Sequence, residues 1–382
     1  FEANKFEAKQ NEMFFMSNYN SSDETTTLIV GTNGCETEYD FVKLGSLIGQ
    51  KLNKDCEVQL TAIPDNLNMF MIEFGIILST YNFQNYKSDK SPEVNIDILD
   101  SEFSTEIENK VKSIFWVRDM VNFPALTKSP DFFQHKVEEL IEGLDINLKS
   151  YDQEWIKENN MGGVIGVSQG SDRPPKFLVG EYNTKAKKQI ALIGKGVLFD
   201  SGGLSLKSPA GMETMKTDMA GAATAWGIIA LVAKEGLDIG LKVYTPIVEN
   251  MPSGSAIRPG DILSMRNGKS IEVMNTDAEG RLIMADALAY ASESKPDIIC
   301  DVATLTGAAY VALGVEIGAV FSNNKNTLDS FLNSNDDGFE NYHPLPLEQS
   351  YKSLIKSNIA DMKNSGGRFG GAITAALLLE EF

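Results

Sequence analysis

Apolar positions recur along the chain with two periods, an alternation of two residues and a spacing of three to four residues. The alternating runs predict strands, and the longer spacing predicts helices. Near the start of the chain the pattern predicts strands over residues 27–32, 58–62 and 93–98, and helices over residues 38–52 and 66–81. We therefore expect a small N-terminal α/β domain over residues 1–99.

Residues 101–120 have the spacing of a helix, with Ser101 placed to cap it and Pro124 after its end. We predict a linker helix over residues 100–121 and a larger second domain over residues 122–382. In that domain the predicted strands cover residues 163–167, 176–180, 189–193, 240–248 and 297–303, and the predicted helices cover residues 132–143, 219–234 and 372–382. This order predicts a mostly parallel central sheet flanked by helices.

Composition narrows the functional classes. The 382 residues carry 53 acidic and 34 basic side chains, a formal net charge of −19. So acidic a chain is unsuited to nucleic acid or to an anionic membrane, and no apolar run approaches the ~20 residues that span a bilayer. Three widely spaced cysteines form no CxxC pair, which favours a reducing, cytoplasmic location.

The chain has only two histidines, His135 and His343. An HExxH zinc motif and a site with three histidine ligands are therefore excluded. A metal site in this chain has to rely on carboxylates.

Two charged clusters follow strand-like runs. Residues 275–282, NTDAEGRL, place Asp277, Glu279 and Arg281 between a strand-like run and a helical one. Residues 194–207, GKGVLFDSGGLSLK, follow another predicted strand and contain Lys195, Asp200 and Lys207, and Asp218 comes shortly after them. The second cluster is not a phosphate loop, because it lacks GxxxxGK[ST]. Sites in α/β folds tend to lie at such strand ends.

If Asp200, Asp218, Asp277 and Glu279 converge, they repel one another unless cations neutralise them. Two divalent ions are a known solution for hydrolytic chemistry. Carboxylate and amine ligands suit Zn²⁺, Mn²⁺ or Mg²⁺, and a lysine amine can be a ligand when the metal lowers its pKa.

On these residues the chain resembles the leucyl (cytosol) aminopeptidases, which are di-metal exopeptidases. The resemblance is carried by NTDAEGRL at 275–282, the GKG…FDSGG…K run at 194–207 and the DMxGA run at 218–222, and it extends over residues 116–382. Further matching segments are Arg118 with Asn122 and Pro124, residues 161–163 and 169–171, residues 301–308, and residues 359–362 with Arg368.

The resemblance implies a role for each candidate residue. Lys195, Asp200, Asp218 and Glu279 would hold one metal, and Asp200, Asp277 and Glu279 would hold the other. Lys207 would polarise the scissile carbonyl, and Arg281 would hold a bicarbonate that acts as general base. The free amine of the substrate would bind at Asp218, in a pocket lined by Met215, Thr304, Leu305, Thr306 and Gly307.

The resemblance also implies a metal-dependent leucyl aminopeptidase that acts on peptides with a free N-terminus and assembles as a homohexamer. Members of that family continue beyond the equivalent of Phe382, so we expect the second domain to be incomplete at its C-terminus. Two alternatives compete. A catalytically silent structural subunit on the same fold is one, and a serine hydrolase built on the GxSxG run at residues 166–170 is the other.

Overall fold

The computed structural model describes residues 7, 9–10, 12–17, 26–52, 55–61, 64, 67–91, 94–334 and 340–382. The chain divides into two compact units. The first contains residues 1–111 and 329–341, and the second contains residues 112–328 and 342–382. Parts of three predicted elements, at residues 62, 66 and 93, lie outside the described residues.

Up to residue 98, the described part of the first unit combines short strands with two helices. These elements are β1 Met13–Ser17, β2 Thr26–Val30, α1 Glu38–Gly49, β3 Cys56–Val58, α2 Met69–Leu78 and β4 Ile96–Ile98. Strands β1 and β2 pair antiparallel, and β3 and β4 pair parallel. Helix α1 begins with a capping box, because the Thr37 hydroxyl accepts from the Asp40 backbone and the Asp40 carboxylate accepts from the Thr37 backbone.

The two helices of the first unit pack closely against each other. Helix α2 is apolar around most of its circumference, as a helix inside a core is. Its Ile72 and Ile76 join Phe41, Leu44 and Ile48 of α1 in one buried cluster. Gly45 and Gly75 lie at the contact, where an added Cβ would meet the facing backbone, so the two helices approach closely.

A long helix, α3, covers Ser104–Asn122. Its N-terminus lies three residues after Ser101, whose hydroxyl accepts from the Phe103 backbone before the helix begins. The elements that follow are α4 Pro130–Ile141, β5 Ile146–Tyr151, α5 Gln153–Glu158, α6 Gly162–Ser168, β6 Lys176–Tyr182, β7 Gln189–Gly194, β8 Gly196–Asp200, α7 Pro209–Met212, a 3-10 turn Met215–Thr217, α8 Ala220–Lys234, β9 Gly240–Asn250, β10 Ile262–Ser264, β11 Ser270–Glu272, α9 Gly280–Ser292, β12 Ile298–Val302, α10 Gly307–Leu313, β13 Ile317–Val320, α11 Lys325–Asn333, β14 Asn341–Pro344, a 3-10 turn Gln349–Ile355, β15 Met362–Lys363 and α12 Gly371–Leu379.

The main sheet of the second unit has the strand order β12-β7-β9-β6-β5, and β8 also pairs with β9. Strands β12, β7 and β8 form the parallel pairings. Strands β5 and β6 form antiparallel pairings with their neighbours. The sheet is therefore mixed, with its parallel part toward the β12 edge.

Helices cover both faces of this sheet. Along β9, Tyr244 and Val248 join the buried cluster that includes α6, α9 and α12. The side chain of Thr245 points to the opposite face, because neighbours alternate along a strand, and there its hydroxyl accepts from the Trp226 indole of α8 at 3.0 Å. The predicted α/β class, with flanking helices around a sheet that contains parallel strands, is confirmed.

One predicted strand is a helix, and the strand predicted over residues 58–62 coincides with β3 only at Val58. Residues 163–167 lie in helix α6. The Asp286 carboxylate of α9 accepts from the backbone amides of Gly163 and Val164 at 2.7 and 3.1 Å, which satisfies the first turn of that helix. A Cβ at Gly163 would lie 2.3 Å from the Leu282 carbonyl, so glycine permits close packing on α9. An apolar run this short does not distinguish a buried helix from a buried strand.

Among the helices of the described ranges, none combines the length and the apolar character that crossing a bilayer requires.

Replacing Gly45 by Ala should destabilise the packing of α1 on α2. The new Cβ would lie 2.0 Å from the Ile72 carbonyl oxygen, so one backbone has to shift. We expect a loss of roughly 1–3 kcal/mol, typical of overpacking. Hydrogen exchange of the α1 and α2 amides measures this locally, and Lys43→Ala on the exposed side of α1 is the control. Equal protection in both variants would contradict the packing described here.

Candidate functional site

The parallel strands bring two charged residues to one edge of the main sheet, the edge formed by the carboxyl ends of these strands. Strands β7 and β8 both run parallel to β9, so their carboxyl ends lie toward the same edge. Lys195 follows β7 directly, and Asp200 is the last residue of β8 and pairs in register with Asn250. Ligand sites of open α/β sheets form at this edge.

Lys195 lies at the centre of the site and is 2% exposed. Its Nζ contacts Asp218 Oδ1 at 2.7 Å and Glu279 Oε1 at 3.0 Å. It also donates to the Thr304 carbonyl at 3.0 Å. One buried ammonium therefore connects the start of α8, the start of α9 and the loop after β12.

Lys207 forms the second cationic link. Its Nζ contacts Asp200 Oδ2 at 2.8 Å and pairs with Asp277 Oδ1. The remaining oxygen of Asp200, Oδ1, accepts from the Gly202 backbone and from Asn250 Nδ2, both at 2.8 Å. The Asp200 carboxylate is thus held in one orientation by three donors.

The structure brings three of the four predicted acids together. Oxygen atoms of Asp200, Asp277 and Glu279 all lie within 4.8 Å of one another, a spacing that could hold a metal ion. Asp218 is connected to this group through Lys195. Asp200, Asp218 and Glu279 are all at least 97% buried, since their exposed fractions are 2%, 3% and 1%.

Burial makes the negative charge of the site costly. It raises the pKa values of Asp218, Asp277 and Glu279, and the neighbouring Asp200 carboxylate adds to the rise. Burial opposes the charges on Lys195 and Lys207, but the surrounding carboxylates outweigh it and raise both lysine pKa values. Carboxylates outnumber lysines here, so the site favours binding of additional positive charge.

The donor set fits divalent cations. Within the described part of the chain, Asp218 Oδ2 and Glu279 Oε2 are buried oxygens without a hydrogen-bond partner. Buried polar atoms in native proteins are almost always satisfied, so such oxygens point to an ion. Carboxylate oxygens are suitable ligands for Zn²⁺, Mn²⁺ and Mg²⁺.

Two residues that the sequence reasoning missed connect the two charged loops. Asn250 donates to Asp200 and also to the Thr276 carbonyl at 3.0 Å. The hydroxyl of Thr276, a fully buried residue, donates to the Gly202 carbonyl at 2.6 Å and accepts from the Ser205 backbone at 2.7 Å. A polar residue just after a predicted buried strand was the available signal for Asn250. Thr276 belongs to the NTDAEGRL segment, but the motif gave no reason to assign it a role.

Asn364, which the sequence reasoning also missed, supports the NTDAEGRL turn. This fully buried side chain accepts from the backbone amides of Met274 and Asn275 at 2.8 and 3.2 Å. It donates to the carbonyls of Asn275 and Ala278 at 2.7 and 3.3 Å. The backbone carbonyl of Asn364 accepts from Arg281 Nη1 at 2.8 Å. No sequence signal connected Asn364 with this turn.

Arg281 is 8% exposed and is the second residue of α9. Burial lowers its pKa to about 10, and Glu279 opposes that shift. Its Nε is buried and has no hydrogen-bond partner among the described residues. The guanidinium therefore has at least one buried donor available for an anion.

The predicted pocket residues lie in two segments. Met215 belongs to the 3-10 turn before Asp218. Thr304 donates its hydroxyl to Asp218 Oδ1 at 2.7 Å, so this threonine orients the carboxylate. Leu305 packs against the main core, and Thr306 caps helix α10, in which Gly307 is the first residue.

The serine alternative finds no support in this geometry. Ser168 is the last residue of α6, is 2% exposed and donates its hydroxyl to the Ile165 carbonyl at 3.1 Å. A nucleophile elbow requires an exposed serine at a strand-to-helix turn.

The fold and site together define an α/β protein with a buried carboxylate centre suited to divalent cations. Residues 115–382 match the family described as the cytosol aminopeptidase family, catalytic domain. The chain belongs to this family.

Curated relatives agree with this assignment. A probable cytosol aminopeptidase of Syntrophotalea carbinolica is 42% identical over 324 residues, which are 81% of this chain and 65% of that protein. One of Brucella ovis is 38% identical over 374 residues, which are 92% and 75% of the two chains. The chain thus spans about two thirds to three quarters of the length of these relatives.

Solved structures are similar over the whole chain. The cytosol aminopeptidase of Coxiella burnetii matches with a TM-score of 0.90 and 31% sequence identity, and the match covers 82% of that structure's chain. A mutant of tomato leucine aminopeptidase has a TM-score of 0.90 and 30% identity and is covered to 78%. The bottromycin maturation enzyme BotP in complex with Mn has a TM-score of 0.91 and 29% identity and is covered to 86%.

Asn364→Asp should destabilise the second unit although it keeps the shape of the side chain. The two donor bonds to Asn275 and Ala278 would be replaced by carboxylate oxygens facing carbonyls. We expect the free energy of unfolding to fall by about 2–4 kcal/mol, since each buried unsatisfied group costs about 1–3 kcal/mol. Denaturant unfolding measures it, with exposed Asn267→Asp as the control. A loss no larger than that of the control would contradict the role of Asn364.

Proposed function

We propose that this chain is a metal-dependent aminopeptidase that removes the N-terminal residue, preferably leucine-like, from peptides. The observation that carries this proposal is the group of Asp200, Asp277 and Glu279, with a buried, unpartnered oxygen on Glu279 among the described residues. Membership of the cytosol aminopeptidase family supports the reaction class.

Two divalent cations per subunit would occupy the site. Lys195, Asp200, Asp218 and Glu279 would hold one, and Asp200, Asp277 and Glu279 would hold the other. The ions would be Zn²⁺ or Mn²⁺, with Mg²⁺ as a third candidate, and the complex of BotP with Mn supports a metal in this fold. When bound, the two cations supply Lewis acidity toward water and toward the peptide carbonyl.

Lys195 would change its role when cations are present. Without them, its ammonium balances Asp218 and Glu279. A lysine binds a metal only as the neutral amine, so the ion has to displace a proton that the carboxylates otherwise retain. Metal binding to this site should therefore release protons.

Lys207 would stabilise negative charge on the carbonyl oxygen of the scissile bond. Its side chain is 17% exposed, so unlike Lys195 it is within reach of a ligand. Asp200 and Asp277 raise its pKa and keep it protonated, and a fixed cation near a developing oxyanion lowers the barrier.

Arg281 would hold a bicarbonate. The buried Nε without a described partner is the donor that supports this assignment. A bound bicarbonate supplies a proton acceptor, which the lysines of the site cannot be while they are protonated.

The substrate would bind with its free amino group at Asp218. Thr304 and Lys195 fix this carboxylate through its Oδ1, and its Oδ2 lacks a partner within the described ranges. Met215, Thr304, Leu305, Thr306 and Gly307 would line the pocket for the first side chain. A requirement for a free amine at Asp218 would explain why only N-terminal residues are removed.

Assembly and location follow from the resemblance. We infer a homohexamer in the cytoplasm, with peptides as substrates and without nucleic-acid or membrane partners. The relatives' names, probable cytosol aminopeptidases, support the location.

Chelation tests the proposed function. Removing metal should abolish hydrolysis of a leucyl chromogenic substrate, and adding Mn²⁺ should restore it. Glu279→Ala should stay inactive at any Mn²⁺ concentration, because both ion positions lose a ligand. Glu293→Ala, at the exposed C-cap of the same helix, is the matched control and should keep wild-type activity.

Three results would contradict the proposal. Activity that survives chelation but is lost to a fluorophosphonate would favour a serine hydrolase. Absence of activity with every metal, in a full-length assembled sample, would favour a silent structural subunit. Near wild-type kcat in Glu279→Ala would refute the ligand assignment.

Lys207→Met separates metal binding from carbonyl polarisation. We expect unchanged metal content and a kcat lowered about 10²–10³-fold, as for loss of an oxyanion donor. Metal analysis and steady-state kinetics on the same samples measure both, with exposed Lys187→Met as the control. Loss of metal in Lys207→Met would show that its contacts to Asp200 and Asp277 maintain the site instead.

A further inference from the structure

Lys128 is a fully buried lysine that takes no part in the site described above. It lies in the loop between α3 and α4. Its Nζ donates to the Met120 carbonyl at 2.8 Å and to the Lys216 carbonyl at 2.7 Å, and lies 3.2 Å from the Met219 sulfur. Lys216 lies two residues before Asp218, and Met219 lies one residue after it.

A second lysine makes the reciprocal connection. Lys216 Nζ donates to the Asn122 carbonyl at 2.7 Å. The carbonyls of Met120 and Asn122 belong to the last turn of α3, where the helix dipole favours cations. Two lysines thus join the C-terminal end of α3 to the 3-10 turn that precedes Asp218.

The position of Lys128 is unfavourable for stability. Burial and the nearby Lys216 charge lower its pKa to about 7. The ammonium nevertheless supplies a donor to two carbonyls, and a buried acceptor that loses its donor destabilises the fold. Methionine would fill a similar volume without making these bonds.

We propose that Lys128 is a positioning residue that holds the Asp218 turn in place for cation binding. This inference rests on the proposed function, because it takes Asp218 as a metal ligand. Lys128 fixes the backbone at Lys216 and contacts Met219, while the Val197 amide donates to the Asp218 carbonyl at 3.3 Å. Without Lys128, the segment before Asp218 loses its connection to α3 through the Lys216 carbonyl.

Isothermal titration calorimetry tests the proposal, with Mn²⁺ titrated into the metal-free full-length protein. In Lys128→Met we expect one of two binding events to weaken about tenfold, as for loss of other supporting contacts around metal sites. The melting temperature should fall, because the Met120 and Lys216 carbonyls lose this donor, and kcat should recover in excess Mn²⁺. Lys128→Gln keeps two N–H donors and should restore part of the affinity.

Lys136→Met in helix α4 is the matched control, since Lys136 is half-buried and pairs with Glu139 at 2.7 Å. It should leave both binding events unchanged. Wild-type affinities in Lys128→Met would overturn the proposal. So would an equal weakening of both binding events, which indicates a general packing role. If the wild-type protein binds no Mn²⁺, the proposed function fails together with this inference.

Discussion

The concentration of buried carboxylates at one sheet edge is the electrostatic constraint on which the second unit depends. Asp200, Asp218 and Glu279 are almost completely removed from water. Ions in a low-dielectric interior repel strongly and lose their hydration, so they require compensation. Lys195 and Lys207 provide part of it, and each of them contacts two acids from different loops. The same contacts that reduce the electrostatic cost therefore also determine how these loops are arranged.

Helix placement contributes to this compensation. Asp218 lies directly before Met219, the N-cap residue of α8, and Glu279 is the N-cap residue of α9. The first turn of a helix carries unpaired amides and a positive partial charge, which stabilises nearby anions. Both acids thus lie where the backbone itself favours their ionised form. Since α8 and α9 also pack on the sheet, burial of their apolar faces holds the acids at its edge.

The parts of the site that could be predicted from sequence are those with local signals. Lys195 and Asp200 follow strand-like runs, and Asp277 and Glu279 lie between a strand-like and a helical run, so their clustering followed from α/β architecture. Asn364, Asn250 and Lys128 act through hydrogen bonds to backbone groups far away in sequence, and such bonds impose no pattern on neighbouring residues. Helix α6 was predicted as a strand for a related reason, because the Asp286 carboxylate that caps it lies 123 positions away from Gly163.

The same charge balance limits the possible proton acceptors. Both histidines are exposed, and His135 is 67% exposed at its side chain, so an imidazole does not serve this centre. The carboxylates raise the pKa of Lys207 and keep it protonated, and under the proposed function Lys195 would be occupied as a metal ligand, so neither lysine would accept a proton. For the proposed reaction, the group that accepts a proton would then be a carboxylate or an anion brought in from solution. Arg281, with a buried Nε that lacks a partner in the described ranges, is the residue that we propose to bind such an anion.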